Sequence, residues 1–177
     1  AVIIQNSAGS GNATSYNKRI LKHSSLLASI KMPLDLFSGR SSVQTNVYVF
    51  QVGKAHQKDD VVKFVDFSYD GYKRGNRKKA KNQNVNLRDD GTAKQRYEEL
   101  VKVVNCNGTP KLYYLREQDY YEGYIDPKNG ADWNQSAPID IVPTLDDFRH
   151  TVSDFLAWKV ADLIKNQPEK EDGLGKL

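Results

Sequence analysis

Six cations stand within nine residues, Lys73, Arg74, Arg77, Lys78, Lys79 and Lys81, with no acid among them. Tyr69, Tyr72, Asn76, Asn82, Gln83, Asn84 and Asn86 flank or interrupt the run with hydrogen-bonding groups. Such a segment suits phosphate contacts with counterion release, which hold a nucleic acid in place without reading its bases. A solvated surface loop is the other reading, because charge runs are common on protein surfaces. Phe37 is the second residue of interest. An aromatic ring in a loop between two strands serves either as a plug of the core or as a face on which an extruded base can stack. Stacking of that kind is worth about 1–3 kcal/mol per base. Thr45 and Asn46 follow at the start of the next apolar run, where polar side chains can simply cap a strand edge.

Other chemistries find little support. His23, His56 and His150 share no metal-ligand spacing. The single Cys106 sits in a turn-like Asn-Cys-Asn-Gly with no His nearby, excludes an internal disulfide and fits a reducing compartment. Asp146, Asp147, His150 and Asp154 fall near one helix face, as a solvated face does. The glycine loop Ala8-Gly9-Ser10-Gly11 follows a strand, but a nucleotide fingerprint needs more glycines and an acid ending the next strand. That strand ends at Lys31-Met32-Pro33. The Asn-x-Ser/Thr triplets at Asn12, Asn107 and Asn134 are most simply chance.

The elements that must position Phe37 and the basic run follow from periodicity. Ala1–Gln5 is a candidate strand, and Thr14 or Ser15 can cap a helix from Tyr16 to about Lys22, with Tyr16, Ile20 and Leu21 on its apolar edge. Leu26–Lys31 and Val47–Gln51 are apolar runs of strand length, separated by a Met32-Pro33 turn and the loop Gly39-Arg40-Ser41-Ser42, so they can pair as a hairpin. Strand, helix and strand in succession open an α/β unit. Val61–Phe67 is a further strand, and Tyr69–Asp90 reads as a long exposed loop or arm. Thr92–Val104 has helical spacing with Ala93, Tyr97, Leu100, Val101 and Val104 on one face. Tyr113, Tyr114, Tyr120, Tyr121 and Tyr124, with Trp133, cover a small core or offer stacking or interface surface. Pro143-Thr144-x-x-Asp147 is a capping signature for a last helix, whose stripe runs Phe148, Val152, Phe155, Leu156, Val160, Leu163 and Ile164.

The chain has 177 residues, enough for one ordinary domain with an extension, and its 38% hydrophobic and 27% charged residues permit a packed core. The net charge of +4 is a mild bias toward anionic partners. No run approaches a membrane span, and the first residues do not look like a signal peptide.

The order Met32-Pro33-Leu34-Asp35-Leu36-Phe37, then Thr45-Asn46 at the head of a strand, resembles the last hairpin of the catalytic domain in adenine-specific DNA methyltransferases of restriction–modification systems. Leu-Pro, Phe and a Thr-Asn strand recur there at this spacing. The strand VVKFVDFS, then Asp-Gly-Tyr, a basic stretch and Val-Asn-Leu-Arg-Asp, is similar to one branch of methyltransferase subunits. A Pro usually stands in that family where this chain has Asn6 or Ser7. The resemblance implies that Phe37 lies beside the target base, with Thr45 and Asn46 at the rim of its pocket. It also implies that Lys73, Arg74, Arg77, Lys78, Lys79 and Lys81 contact the DNA backbone. The family's glycine-bearing cofactor motif and its Asn/Asp-Pro-Pro-aromatic motif do not occur in this sequence, whose prolines are isolated.

The expected fold is therefore α/β: the C-terminal part of a Rossmann-like S-adenosylmethionine-dependent methyltransferase sheet with its antiparallel hairpin, plus a helical C-terminal extension. Residues 1–70 would supply strands and a helix of that domain, 71–91 a basic arm, 92–142 a helix and tyrosine-rich segment, 143–166 the last helix and 167–177 a disordered tail. The opening inside an apolar strand suggests the C-terminal part of a longer protein. The implied reaction is methyl transfer from S-adenosylmethionine to the exocyclic amine of adenine, with this piece binding no cofactor and inactive alone. Implied partners are double-stranded DNA and specificity and restriction subunits, in the cytoplasm, with self-association of exposed edges also expected. The competing expectation is a non-catalytic DNA-binding or subunit-docking module.

Overall fold

The hairpin expected from the two apolar runs sits in the middle of the sheet. The computed structural model describes residues 1–37, 43–74, 87–138 and 143–165, and the chain divides into two compact units, Ala1–Pro138 and Ile139–Leu177. The first unit contains β1 (Val2–Gln5), a 3-10 turn (Asn6–Ser10), α1 (Thr14–Leu21), β2 (Ser24–Lys31), β3 (Thr45–Val52) and β4 (Val61–Asp66). The short β5 (Tyr72–Arg74) and β6 (Leu87–Asp89) follow, then α2 (Ala93–Asn105) and β7 (Tyr120–Tyr124). The second unit holds α3 (Leu145–Lys165).

Five strands form one mixed sheet in the order β1-β3-β2-β4-β7. β3 is antiparallel to both β1 and β2, β2 is parallel to β4, and β7 returns antiparallel to β4. The molecule is thus α/β, and β1, β2 and β4 all run the same way. β1 and β2 are joined through α1 as expected, but β3 is inserted between them. β1 lies at the edge, with Val2, Ile3 and Ile4 between 37% and 49% exposed.

One irregularity decides which side chains face which layer. β2 pairs Leu26 with Phe50 but Ala28 with Val49, so Leu27 is an extra residue bulged out of the ladder. A one-residue bulge reverses the facing of everything beyond it. Leu26 accordingly joins Leu21, Tyr48, Val62, Phe64, Ile125 and Trp133 in one buried cluster. Ala28 and Ile30 face the opposite side with Met32, Val65, Phe67, Leu100, Val103 and Leu115.

α2 covers that second side largely on the face its apolar spacing suggested, with Ala93 and Leu100 buried and Tyr97 and Val104 packed against the cluster, but with one exchange. Val101 is 59% exposed, while Val103 and Glu99 point inward. Glu99 is tolerated there because its carboxylate accepts the backbone N–H groups of Tyr113, Tyr114 (2.8 Å) and Leu115 (2.7 Å). At the other end of the helix, the Lys63 ammonium donates to the carbonyls of Val103 (2.7 Å) and Val104 (3.3 Å), a cation on the negative end of the dipole. α1 begins at Thr14, ahead of the expected start, and no side chain caps it: the Thr14 hydroxyl donates to the Gly11 carbonyl instead. Tyr16 and Ile20 are exposed and only Leu21 of the expected apolar edge is buried.

The segment read as a long exposed arm is structured at its root. β5 and β6 pair as an antiparallel ribbon, Tyr72 opposite Asp89 and Lys73 opposite Arg88. Below it Asp70 is buried, and Gly71 has φ +87° with Ala93 so close that a Cβ would meet its Cα at 2.6 Å. Only glycine fits there.

In the second unit, α3 opens with the expected capping box: the Asp147 amide donates to the Thr144 hydroxyl (3.1 Å), and the Asp147 carboxylate accepts from the Thr144 amide (2.9 Å). No residue of α3 is buried. Its stripe, from Phe148 to Ile164, is 39–66% exposed. Among the described residues no helix is long and apolar enough to cross a membrane.

Candidate functional site

The loop after β2 is built to hold Phe37 outward. The Met32 amide donates to the Thr45 carbonyl (3.0 Å), and a tight turn closes from the Leu36 amide to the Pro33 carbonyl (3.1 Å). Leu36 packs against the α2-side cluster. Its neighbour Phe37 is 39% exposed and belongs to neither cluster, so it is not a core plug.

Asp35, in the same loop, accepts from the Arg74 guanidinium at 3.2 Å. Arg74 also forks onto the buried Asp70, which accepts in addition from the Tyr72 amide (3.0 Å) and the Tyr97 hydroxyl (2.8 Å). Burial alone would raise the Asp70 carboxyl, but these three donors outweigh it and hold the group below the usual carboxylate range. Burial and Asp70 together push the Tyr97 hydroxyl up. The Arg74 side chain is only 12% exposed. It is therefore held in an ion pair within the fold, unlike the exposed cations of the run.

Lys73 is exposed on the ribbon, and the exposed Arg88 stands opposite it. Arg88 was missed because it lies apart from the run in sequence and joins it only through strand pairing. Arg77, Lys78, Lys79 and Lys81 lie outside the described residues, as do the loop residues 39–42 and the tail 167–177.

Thr45 and Asn46 open β3 beside the ends of β1 and β2. The Thr45 hydroxyl is buried and has no hydrogen-bond partner among the described residues. Asn46 is buried, its amide already committed: Oδ1 accepts from Asn6 Nδ2 (3.0 Å), and Nδ2 donates to Asn134 Oδ1 (3.0 Å). Both amides line a cleft of about 360 Å³ that runs past Ser29, Lys31, Asp66 and Tyr121. Lys31 and Asp66, at the ends of two parallel strands, pair across it at 2.9 Å. Burial would raise the Asp66 carboxyl, but bonds from Ser68 and Lys31 bring it below the usual range.

In the glycine loop beyond β1, Gly9 is packed against protein atoms, whereas Gly11 faces open space. A Cβ on Gly9 would collide with the Tyr48 hydroxyl and lie 2.9 Å from the Asn134 carboxamide, so protein atoms fill the space beside that glycine. Burial pushes the Tyr48 hydroxyl up to about 12, against the opposing bond to Asn134. Among the described residues no group of three or more His, Cys, Asp or Glu could hold a metal ion.

A loop offering a half-exposed ring, tied to the root of a basic ribbon, sits on an α/β sheet in which β3 runs antiparallel between β1 and β2. Comparison with known proteins assigns the class. The family model described as N-6 DNA Methylase matches residues 1–123, so the chain belongs to the N-6 DNA methylase family. No curated protein matches. Two solved chains resemble the fold. One comes from a structure concerned with complex assembly and conformational transition of the type I R-M system: identity is 12%, TM-score 0.49, with 94% of this chain and 35% of that chain covered. The other is described as a modification subunit of a type I restriction enzyme from Vibrio vulnificus YJ016: identity is 10%, TM-score 0.45, with 70% of this chain and 22% of that one covered. The chain thus spans about a third or less of the length of either solved chain.

Proposed function

We propose that this chain carries the target-base and backbone-gripping side of an adenine-specific DNA methyltransferase, the modification subunit of a type I-like restriction–modification system. It would act on double-stranded DNA in the cytoplasm, with specificity and restriction subunits as partners. The observation that carries the reading is the tie between its two halves. Asp35, in the loop that presents Phe37, is bonded to Arg74 at the root of the basic ribbon. An enzyme that modifies a base in a duplex must turn it out of the stack, and Phe37 offers the ring face that receives it. Thr45, whose hydroxyl has no partner among the described residues, supports the rim of that pocket, and Asn46 orients it.

Lys73 and Arg88 grip the backbone, joined by Arg77, Lys78, Lys79 and Lys81 on the strength of the sequence. Like charges directly opposite on a ribbon repel, and a phosphate between them removes the repulsion. The methyl donor of the family is S-adenosylmethionine, and the residues of this chain do not fit it: Gly9 of the glycine loop is packed against Tyr48 and Asn134, and the following strand ends in Lys31 rather than an acid. In this reading the sheet is the C-terminal part of a Rossmann-like one, donor site and catalytic motif come from elsewhere, and the chain alone transfers no methyl group. A non-catalytic DNA-binding or subunit-docking module is the second reading, favoured by the wholly exposed stripe of α3.

The test is a salt titration of duplex binding by the full chain, beside a variant with Lys73, Arg77, Lys78, Lys79, Lys81 and Arg88 replaced by Ala. Binding should weaken steeply with salt, and the slope should fall by about 0.9 for each phosphate contact removed. Labelled methyl transfer to adenine should require the assembled enzyme and drop on Phe37→Ala. An unchanged slope removes the backbone grip, and transfer by the chain alone overturns the division of labour.

A further inference from the structure

The methylase-family match stops at residue 123, yet the cleft beside Asn46 is lined in part by a segment beyond it. That segment, Asp126 to Ala137, is fixed along its length. The Asp126 amide closes onto Asp132 (2.7 Å), and Asn17 Nδ2 donates to the Gly130 carbonyl (2.7 Å). The Trp133 amide donates to the Gly9 carbonyl (3.1 Å), and Gln135 Nε2 to that of Tyr124 (2.8 Å). Trp133 is 1% exposed, edge-on to Tyr48 and Phe50 at 5.4 and 5.6 Å. A strap held this way delivers Asn134 to one position.

There the Asn134 carboxamide uses both its acceptor and its donor sides. Oδ1 accepts from the Tyr48 hydroxyl (2.7 Å) and from Asn46 Nδ2 (3.0 Å), with Ser29 Oγ at 3.5 Å. Nδ2 donates to the Asn6 carbonyl (2.7 Å) and to Ser10 Oγ (2.6 Å). A carboxamide can give two hydrogen bonds and accept two; an acid of the same shape cannot donate when ionised, and an apolar side chain does neither. The one group therefore spans the turn after β1, the middle of β2 and the start of β3. It also fixes which way the Asn46 amide faces, since Asn46 Oδ1 is taken by Asn6.

We propose that Asn134 is a positioning residue of the target-base site, acting through Asn46, and that the strap beyond the family-matched region is an integral part of that site. This rests on the base-side reading above. A residue that only braced the fold would lower stability and leave the surviving enzyme at full speed. A positioning residue lowers the rate of the folded enzyme, and misplacement by ~1 Å can cost about 100-fold.

The experiment is single-turnover methyl transfer by the assembled methyltransferase carrying this chain, with duplex affinity and unfolding midpoint measured on the same samples. Asn134→Asp keeps the shape and the acceptors but loses both donors. We expect its rate to fall roughly 10- to 100-fold with duplex affinity unchanged. A double-mutant cycle with Asn46→Ala supplies a readout that survives any loss of stability: the penalty of Asn134→Ala should largely vanish in the Asn46→Ala background. A rate unchanged by Asn134→Asp, or penalties that add in full, overturns the assignment while leaving the methyltransferase reading intact. No transfer by the unaltered assembled enzyme overturns that reading first, and this one with it.

Discussion

Arg74 and Lys73 are neighbours in sequence and opposite in circumstance. Arg74 neutralises Asp70, itself 1% exposed, so Arg74→Ala leaves a buried carboxylate without its cation. Breaking a buried pair from one side costs roughly 3–5 kcal/mol. Lys73 is exposed and touches no such group, and its replacement by Ala should stay within about 0.5 kcal/mol of the parent. Urea unfolding of both variants checks the pair. Equal, small losses would return Arg74 to the surface run in which the sequence placed it. At this scale the charge run was legible as a run, but which cation the fold consumes was not. Asp70 lies four residues before Arg74 and Asp35 lies thirty-nine before it, and no local spacing links the three. Asn134 was harder still. Its partners Asn6 and Ser10 are 128 and 124 residues away, and a lone Asn in a loop gives no periodic signal.

Elements were legible where periodicity was strong. The β2–β3 hairpin, β4, α2 and the capping box of α3 all follow from apolar spacing and turn residues. The insertion of β3 between β1 and β2 did not, because order in a sheet depends on pairings distant in sequence. Nor did the inward Glu99, whose three amide partners come from another segment. The bulge makes the sharpest prediction here. Deleting Leu27 converts β2 into a regular strand in which Leu26 and Ala28 keep their present faces, so thermal unfolding should still be cooperative. Deleting Ile30 sends Lys31 to the α2-side cluster and turns the strand end out of register. That variant should lose most of its stability. Similar melting of the two would mean that the bulge does not set the facing of β2.

At the scale of the whole molecule, acid sensitivity should come first from one histidine. The His56 side chain is buried, bonded through Nδ1 to Ser25 Oγ (2.9 Å), with Nε2 unpartnered among the described residues. Burial lowers its pKa from the ordinary value of 6.5, while Asp60 and Asp132 oppose the shift and Lys54 reinforces it. A group less basic in the folded chain than in the unfolded one binds more protons when unfolded. Stability therefore rises with pH through the window between the two values and falls as pH drops below about 6.5. Asp66 and Asp70, held low, add their losses only further down, below the ordinary carboxylate value of 3.8. Urea midpoints between pH 7.5 and 5 should fall for the parent chain and flatten for His56→Gln. A parent curve that is already flat there would dismiss His56 as the cause.

The bulge in β2 has a further consequence for comparing this chain with its relatives. A strand that changes phase partway can lose one residue without moving any other contact. Relatives with a regular strand would therefore align with a single gap at 26–27, inside a strand rather than in a loop. An alignment that forbids gaps in strands would match one half of β2 correctly and set the other half one residue out, pairing core positions with surface ones.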